Sequence, residues 1–167
     1  MVTEDVRIRL VTRGEWERLR DLRLRSLADA PDAFGSTLDF ERGHDEAGWI
    51  GWIEGWEGAR HALFVAERGT EWIGMAVGSR AGDDAEAHLY GMWVDPAWRG
   101  RGIGAQLVDQ VLGWAGSWGA RSVVLAVTET NAGAAAFYER LGFAFTGERY
   151  PLREGSDLTT GVMRREP

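Results

Sequence analysis

The 167-residue sequence contains no cysteine, which excludes a disulfide framework and thiolate chemistry. It has no apolar run approaching the roughly 20 residues a membrane-spanning helix requires, so no membrane partner is expected. Its opening, MVTEDVRIRL, lacks the basic start and apolar stretch of a secretory signal. Together these absences lead to the expectation of a cytoplasmic protein. Positive charge is also scarce: 19 Lys and Arg stand against 26 Asp and Glu, for a net charge of −7. Phosphate backbones require clustered cations, so no nucleic-acid partner is expected. The acidic balance would suit a cationic substrate, but it reads first as a matter of solubility alone. No linker, composition break or internal repeat divides the chain, and one domain over residues 1–167 is expected. No metal site is expected.

What is present is globular in character, with 44% hydrophobic and 27% charged residues. Alternating or continuous apolar runs predict strands over about 6–11, 61–67, 71–79, 86–94, 122–127, 143–148 and 159–164. Apolar stripes at helical spacing predict helices over about 15–27, 46–56, 102–118 and 132–141, with Asn131 and Gly142 capping the last. The result is an α/β (α+β) domain: a mixed, mostly antiparallel sheet of about seven strands flanked by about four helices.

The stretch WRGRGIGAQLV, from Trp98, enters the third of those helices through closely spaced glycines flanked by arginines. The first N–H groups of a helix have no internal partner, so such an entry is a ready anion site. Gly100, Gly102 and Ala105 satisfy the dinucleotide pattern G-x-G-x-x-A. That pattern also wants an acidic residue about 20 positions on, and RSVVLAV offers none before Glu129. Read instead as R-x-x-G-x-G over Arg99, Gly102 and Gly104, the turn resembles the pyrophosphate-binding signature of the GNAT superfamily of acetyl-CoA-dependent N-acetyltransferases. NAGAAAFYERLGF, Asn131 to Phe143, is similar to that family's second signature, and the order of elements matches along nearly the whole chain.

The resemblance implies an enzyme that transfers acetyl directly from acetyl-CoA to a primary amine. Backbone N–H groups from Arg101 through Gly102, Ile103 and Gly104 to Ala105 would hold the pyrophosphate on the helix dipole, with Gly100 in the same turn and the Arg99 and Arg101 side chains adding charge. The strand segment Met92, Trp93, Val94 would pair with the pantetheine arm, where this strand splays from its neighbour and Gly91 makes a bulge. A backbone N–H near Val94 would meet the developing oxyanion. Asn131, Ala134, Phe137 and Tyr138 would complete the cofactor site, with Tyr138 protonating the departing thiolate. Strand alternation sets Glu86, His88, Tyr90, Met92 and Val94 on one side. Counting from the glycine turn makes His88 the candidate general base, with Glu86 as competitor; some family members carry a histidine pair at the positions of His88 and Tyr90.

For the acceptor, a small-molecule amine is preferred over a peptide N-terminus or a protein lysine. A non-catalytic acyl-CoA-binding module is the alternative of another class, and a homodimer is left open. Trp49, Trp52, Ile53 and Trp56 share one helix face, preceded by Asp39, Glu41, Asp45 and Glu46. The stripe reads first as core, and second as an aromatic wall with carboxylates that would receive a cation.

Overall fold

A computed structural model describes residues 5–167 and arranges seven strands in one sheet, ordered β1-β2-β3-β4-β5-β7-β6. Residues 1–4, which begin the segment read for a secretory signal, lie outside the described residues. The strands are β1 (Val6–Leu10), β2 (Ala59–Arg68), β3 (Glu71–Ala81), β4 (Glu86–Val94), β5 (Ser122–Thr128), β6 (Ala144–Pro151) and β7 (Thr159–Arg165). The helices are α1 (Trp16–Asp29), α2 (Leu38–Arg42), α3 (Glu46–Glu54), α4 (Ile103–Ser117) and α5 (Ala132–Arg140). The mixed, mostly antiparallel sheet is as expected, with one helix more. That helix, α2, spans little over one turn and starts where Thr37 accepts the Phe40 N–H, too short to leave a periodic stripe in the sequence. Among the described residues no helix is long and apolar enough to cross a membrane.

Each face of the sheet carries its own core. On one side Ile103, Leu107, Val108, Val111 and Ala115 of α4 pack against β3 and β4. On the other, Leu19, Leu22 and Leu27 of α1 meet Trp49, Trp52 and Ile53 of α3. Each fully buried leucine contributes on the order of 2 kcal/mol. The continuous apolar run of β5 follows from burial on both faces.

Two irregularities in β4 place the site. Every neighbouring pair is antiparallel except β4 and β5, which run parallel and pair only at Glu86 with Ser122, Ala87 with Val123 and His88 with Val124. From Leu89 onward the two strands separate. Against β3, Tyr90 faces Val77 and Trp93 faces Met75, so Gly91 and Met92 together occupy the space of one residue. Gly91 has φ 62°, which glycine adopts without strain. This bulge corrects the simple alternation read from sequence. Tyr90 and Trp93 face the α1–α3 core, whereas Met92 and Val94 turn to the α4 side.

Candidate active site

Where β4 and β5 part, a cavity of about 1130 Å³ opens, running from the start of α4 and the face of α5 to α1 and α3. Single-ligand pockets span roughly 300–1,000 Å³, so the space suits two reactants meeting end to end.

The first end is made mostly of backbone. Gly100 and Gly102 have φ of 76° and 81°. A Cβ at either would meet nothing within 4 Å, so the turn requires glycine for its conformation rather than for space. Gly102 caps α4 without a side chain, no acidic residue follows in the first turn, and the first helical bond runs from Gln106 N–H to Gly102 O at 3.1 Å. The N–H groups of Ile103, Gly104 and Ala105 are thereby left without intrahelical partners at the positive end of the helix dipole. Met92, Trp93, Val94, Arg99, Gly100, Gly102, Ile103, Gly104 and Ala105 all line the cavity. Arg101 does not; its guanidinium stacks 4.7 Å from the Trp98 ring centre.

Arg99 is held rather than free. Its Nε donates to the Val94 carbonyl at 2.8 Å, and its terminal nitrogen reaches Asp29 at 2.7 Å. Asp29 also accepts the Trp93 indole N–H at 2.9 Å. That bond, with Arg99 behind it, keeps the carboxyl below the usual aspartate range despite the opposing effect of burial. Asp29 therefore ties α1, β4 and the glycine turn together. Sequence reasoning passed over it, although a carboxylate at a helix C-terminus works against the dipole and so signals a tertiary role.

Asn131, Ala134, Phe137 and Tyr138 of the α5 segment form the facing wall. The Asn131 side chain is engaged in capping, accepting the Ala134 N–H at 3.0 Å. Helices α4 and α5 approach closely enough that a Cβ at Gly104 would lie 3.1 Å from the Phe137 ring. Tyr138 is 8% exposed, and its hydroxyl makes no hydrogen bond to the protein among the described residues. Burial pushes it well above the ordinary phenol range, so it stays protonated at any working pH.

Neither strand residue read as a base lines the cavity. Both precede the splay, where β4 is still paired to β5. His88 is exposed. The Glu86 carboxylate accepts from the Ser122 hydroxyl at 2.7 Å and from Arg164 at 3.1 Å.

The second end is built from side chains. Arg23, only 3% exposed, makes a two-pronged ion pair with the 1%-exposed Glu41 at 2.9 and 3.0 Å. The guanidinium lies 4.6 Å from the Phe34 ring centre and 4.7 Å from that of Trp52, and its third nitrogen has no partner. This corrects the second reading of the tryptophan stripe. Trp49, Trp52 and Ile53 are core, Glu41 is already neutralised, and the cation on Trp52 belongs to the protein. The sequence did carry a signal: Arg23 falls within the buried face of α1, four residues from both Leu19 and Leu27. Beside Trp52, the Tyr90 hydroxyl lies 2.6 Å from His61 Nε2, and His61 Nδ1 lies 3.0 Å from the Trp52 carbonyl. Burial pushes the His61 imidazole below 6.5 and raises the Tyr90 hydroxyl to about 12, the latter against smaller opposing effects of Ser79 and Arg23.

The profile of the Acetyltransferase (GNAT) family matches residues 16–143, a span holding the glycine turn, the splayed strand and Tyr138. The chain belongs to the GNAT acetyltransferase family. An uncharacterized N-acetyltransferase of Mycobacterium bovis is 36% identical over 90 residues, 54% of this chain and 57% of that protein; the match therefore spans little over half the relative's length. The N-alpha-acetyltransferase RimI of Mycobacterium tuberculosis is 32% identical over 174 residues, covering 98% of this chain and 94% of that protein. Among solved structures, a putative acetyltransferase of Salmonella typhimurium with its cofactor acetyl-CoA superposes with a TM-score of 0.76 at 21% identity, over 98% of this chain and 94% of the other.

Proposed function

We propose that the protein is an acetyl-CoA-dependent N-acetyltransferase acting directly on a primary amine, most readily that of a small molecule. The observation that carries the proposal is the splay itself: one cavity joins the unpartnered N–H groups at the start of α4 to the unpartnered hydroxyl of Tyr138. These groups fit acetyl-CoA, which supplies the acetyl as an activated thioester. The N–H groups of Ile103, Gly104 and Ala105 would hold its pyrophosphate, with Arg99, which lines the cavity, adding charge. The unpaired edge of β4 around Met92 and Val94 would receive the amides of the pantetheine arm as a strand would. Tyr138 donates the proton that the departing sulfur requires. The acceptor enters from the other end, past Trp52 and Tyr90.

A second reading takes the α-amine of a peptide or protein as acceptor, supported by similarity to RimI along nearly the whole chain. One experiment separates the two. The protein is incubated with acetyl-CoA and an arylalkylamine, a polyamine, an amino sugar or an alanine-initiated peptide, and products are read by mass spectrometry. Turnover of a small amine at least 10-fold above that of the peptide supports the first reading, and the reverse order replaces it with the second. No CoA release with any amine sinks both in favour of an acyl-CoA-binding module.

A further inference from the structure

We infer that the acceptor amine loses its proton through Tyr90 to His61, a relay that rests on the acetyltransferase reading above. Tyr90 is the last β4 residue before the Gly91 bulge and lines the cavity at its acceptor end. His61 comes from β2, beyond the intervening β3. The hydrogen bonds fix which nitrogen holds the proton. A carbonyl only accepts, so the Trp52 oxygen at 3.0 Å requires a hydrogen on His61 Nδ1. In the neutral ring Nε2 is then a bare lone pair, and the Tyr90 hydroxyl at 2.6 Å donates to it. Of the two lone pairs on Tyr90 Oη, one accepts from the Ser79 hydroxyl, which leaves the other to accept from an amine.

Both ends of the transfer are satisfied within this geometry. When Tyr90 takes a proton from the amine and passes its own to Nε2, the imidazolium keeps Nδ1–H on the Trp52 carbonyl and turns Nε2–H back onto Tyr90 Oη. No buried polar group is stranded in either state. The charged groups that face the pair are Arg23 of α1 and, behind it, Glu41 of α2. Ser79 of β3 supplies a hydroxyl. The guanidinium and the aromatic surround disfavour a cation on the amine and on the imidazole alike, so the proton is passed on to water rather than stored at His61. Trp56, in edge contact with His61 at 5.0 Å, is 45% exposed, and His61 is itself only partly buried, so the pair lies close to solvent.

The protons balance. R–NH3+ loses one to His61 by way of Tyr90, and His61 returns it to solvent. The neutral amine forms the C–N bond as the C–S bond breaks. The second proton from nitrogen ends on the departing sulfur by way of Tyr138. The net products are amide, thiol and one proton.

Two measurements test the relay. The first is 15N NMR of the three histidines in the full-length protein with CoA. His61 should be neutral in the Nδ1–H form and should titrate below 6.5, with its Nε2 resonance shifting in Tyr90→Phe. An Nε2–H neutral form overturns the proposal without any assay of turnover. The second is the pH profile of CoA release with the best amine of the panel above. Tyr90→Phe and His61→Gln should each lower turnover near pH 7 by about 10- to 1000-fold. Both should regain most of it near pH 10, where free amine is abundant, and both should retain the thermal shift given by acetyl-CoA. A wild-type profile in either variant overturns the relay. Loss of the rate near pH 7 with recovery near pH 10 in His88→Gln or Glu86→Gln instead would give the role to that residue. Absence of CoA release from the wild type would count against the acetyltransferase reading, while the tautomer is still decided by NMR.

Discussion

The two ends of the cavity are built by different means. The end toward α4 presents backbone: N–H groups left over by a helix that starts at Gly102, and a strand edge left over by the parting of β4 from β5. The end toward α1 and α3 presents side chains joined across long stretches of chain, Arg23 to Glu41 and His61 to Tyr90. A backbone site depends on local conformation, so its specificity is for a shape that recurs in every acetyl-CoA molecule. A side-chain site depends on what tertiary packing brings together, and can differ between relatives that share the fold.

The most severe way to break the contrast is to place a carboxylate among the α4 amides. Gly102→Asp should fold, since a Cβ there meets nothing and aspartate tolerates a left-handed backbone better than most residues. It should nevertheless abolish the thermal shift given by acetyl-CoA, measured by differential scanning fluorimetry. Retention of a normal shift would reduce the glycine entry to a turn.

That end was the legible one. R-x-x-G-x-G and the cap at Asn131 lie within single turns, so residue types at fixed spacing are enough to place them. The extent of β4 also follows from its pattern, because a half-buried strand alternates. The bulge at Gly91 is legible too, and the structure has it; what the simple alternation misses is its consequence, since a bulge of one residue inverts the faces of everything after it and puts Met92 and Val94 on the α4 side. His61 carried no local mark at all, since its partner is on a strand two places away in the sheet. Arg23 and Glu41 were individually visible but not as a pair, because no spacing along the chain implies that they meet.

A smaller effect is expected at the acceptor end, on stability first. Glu41→Gln leaves the Arg23 guanidinium buried without its counter-charge and should destabilise the fold by about 3–5 kcal/mol, whereas Arg23→Met with Glu41→Leu should come within about 1–2 kcal/mol of the parent. Urea denaturation of the single and double variants checks this. Equal losses in both would mean that the pair is replaceable only as charge.

The narrowest change sharpens the contrast at the point where the two ends meet. Tyr138→Phe keeps the ring in the core and removes one hydroxyl. Acetyl-CoA affinity should stay within a few-fold while turnover falls by about 10- to 1000-fold, measured by CoA release. Unchanged turnover would return Tyr138 to packing alone.

Glu86 has a consequence that its distance from the cavity conceals. Its backbone sits in β4 while its carboxylate holds Ser122 of β5 and Arg164 of β7, so one residue clamps the three pairs that, among the described residues, join β4 to β5. From His88 to Val94 the edge of β4 that faces β5 is unpaired over roughly 20 Å at a rise of about 3.3 Å per residue, while its other edge stays paired to β3. A rotation of about 3° at the clamp would move the tip by about 1 Å, a misplacement on the scale that costs an enzyme about 100-fold in rate. The opening between β4 and β5 thus begins at a carboxylate that joins three strands, and a change in its bonds would be passed along β4, against the hold of β3, to the edge that faces the cofactor.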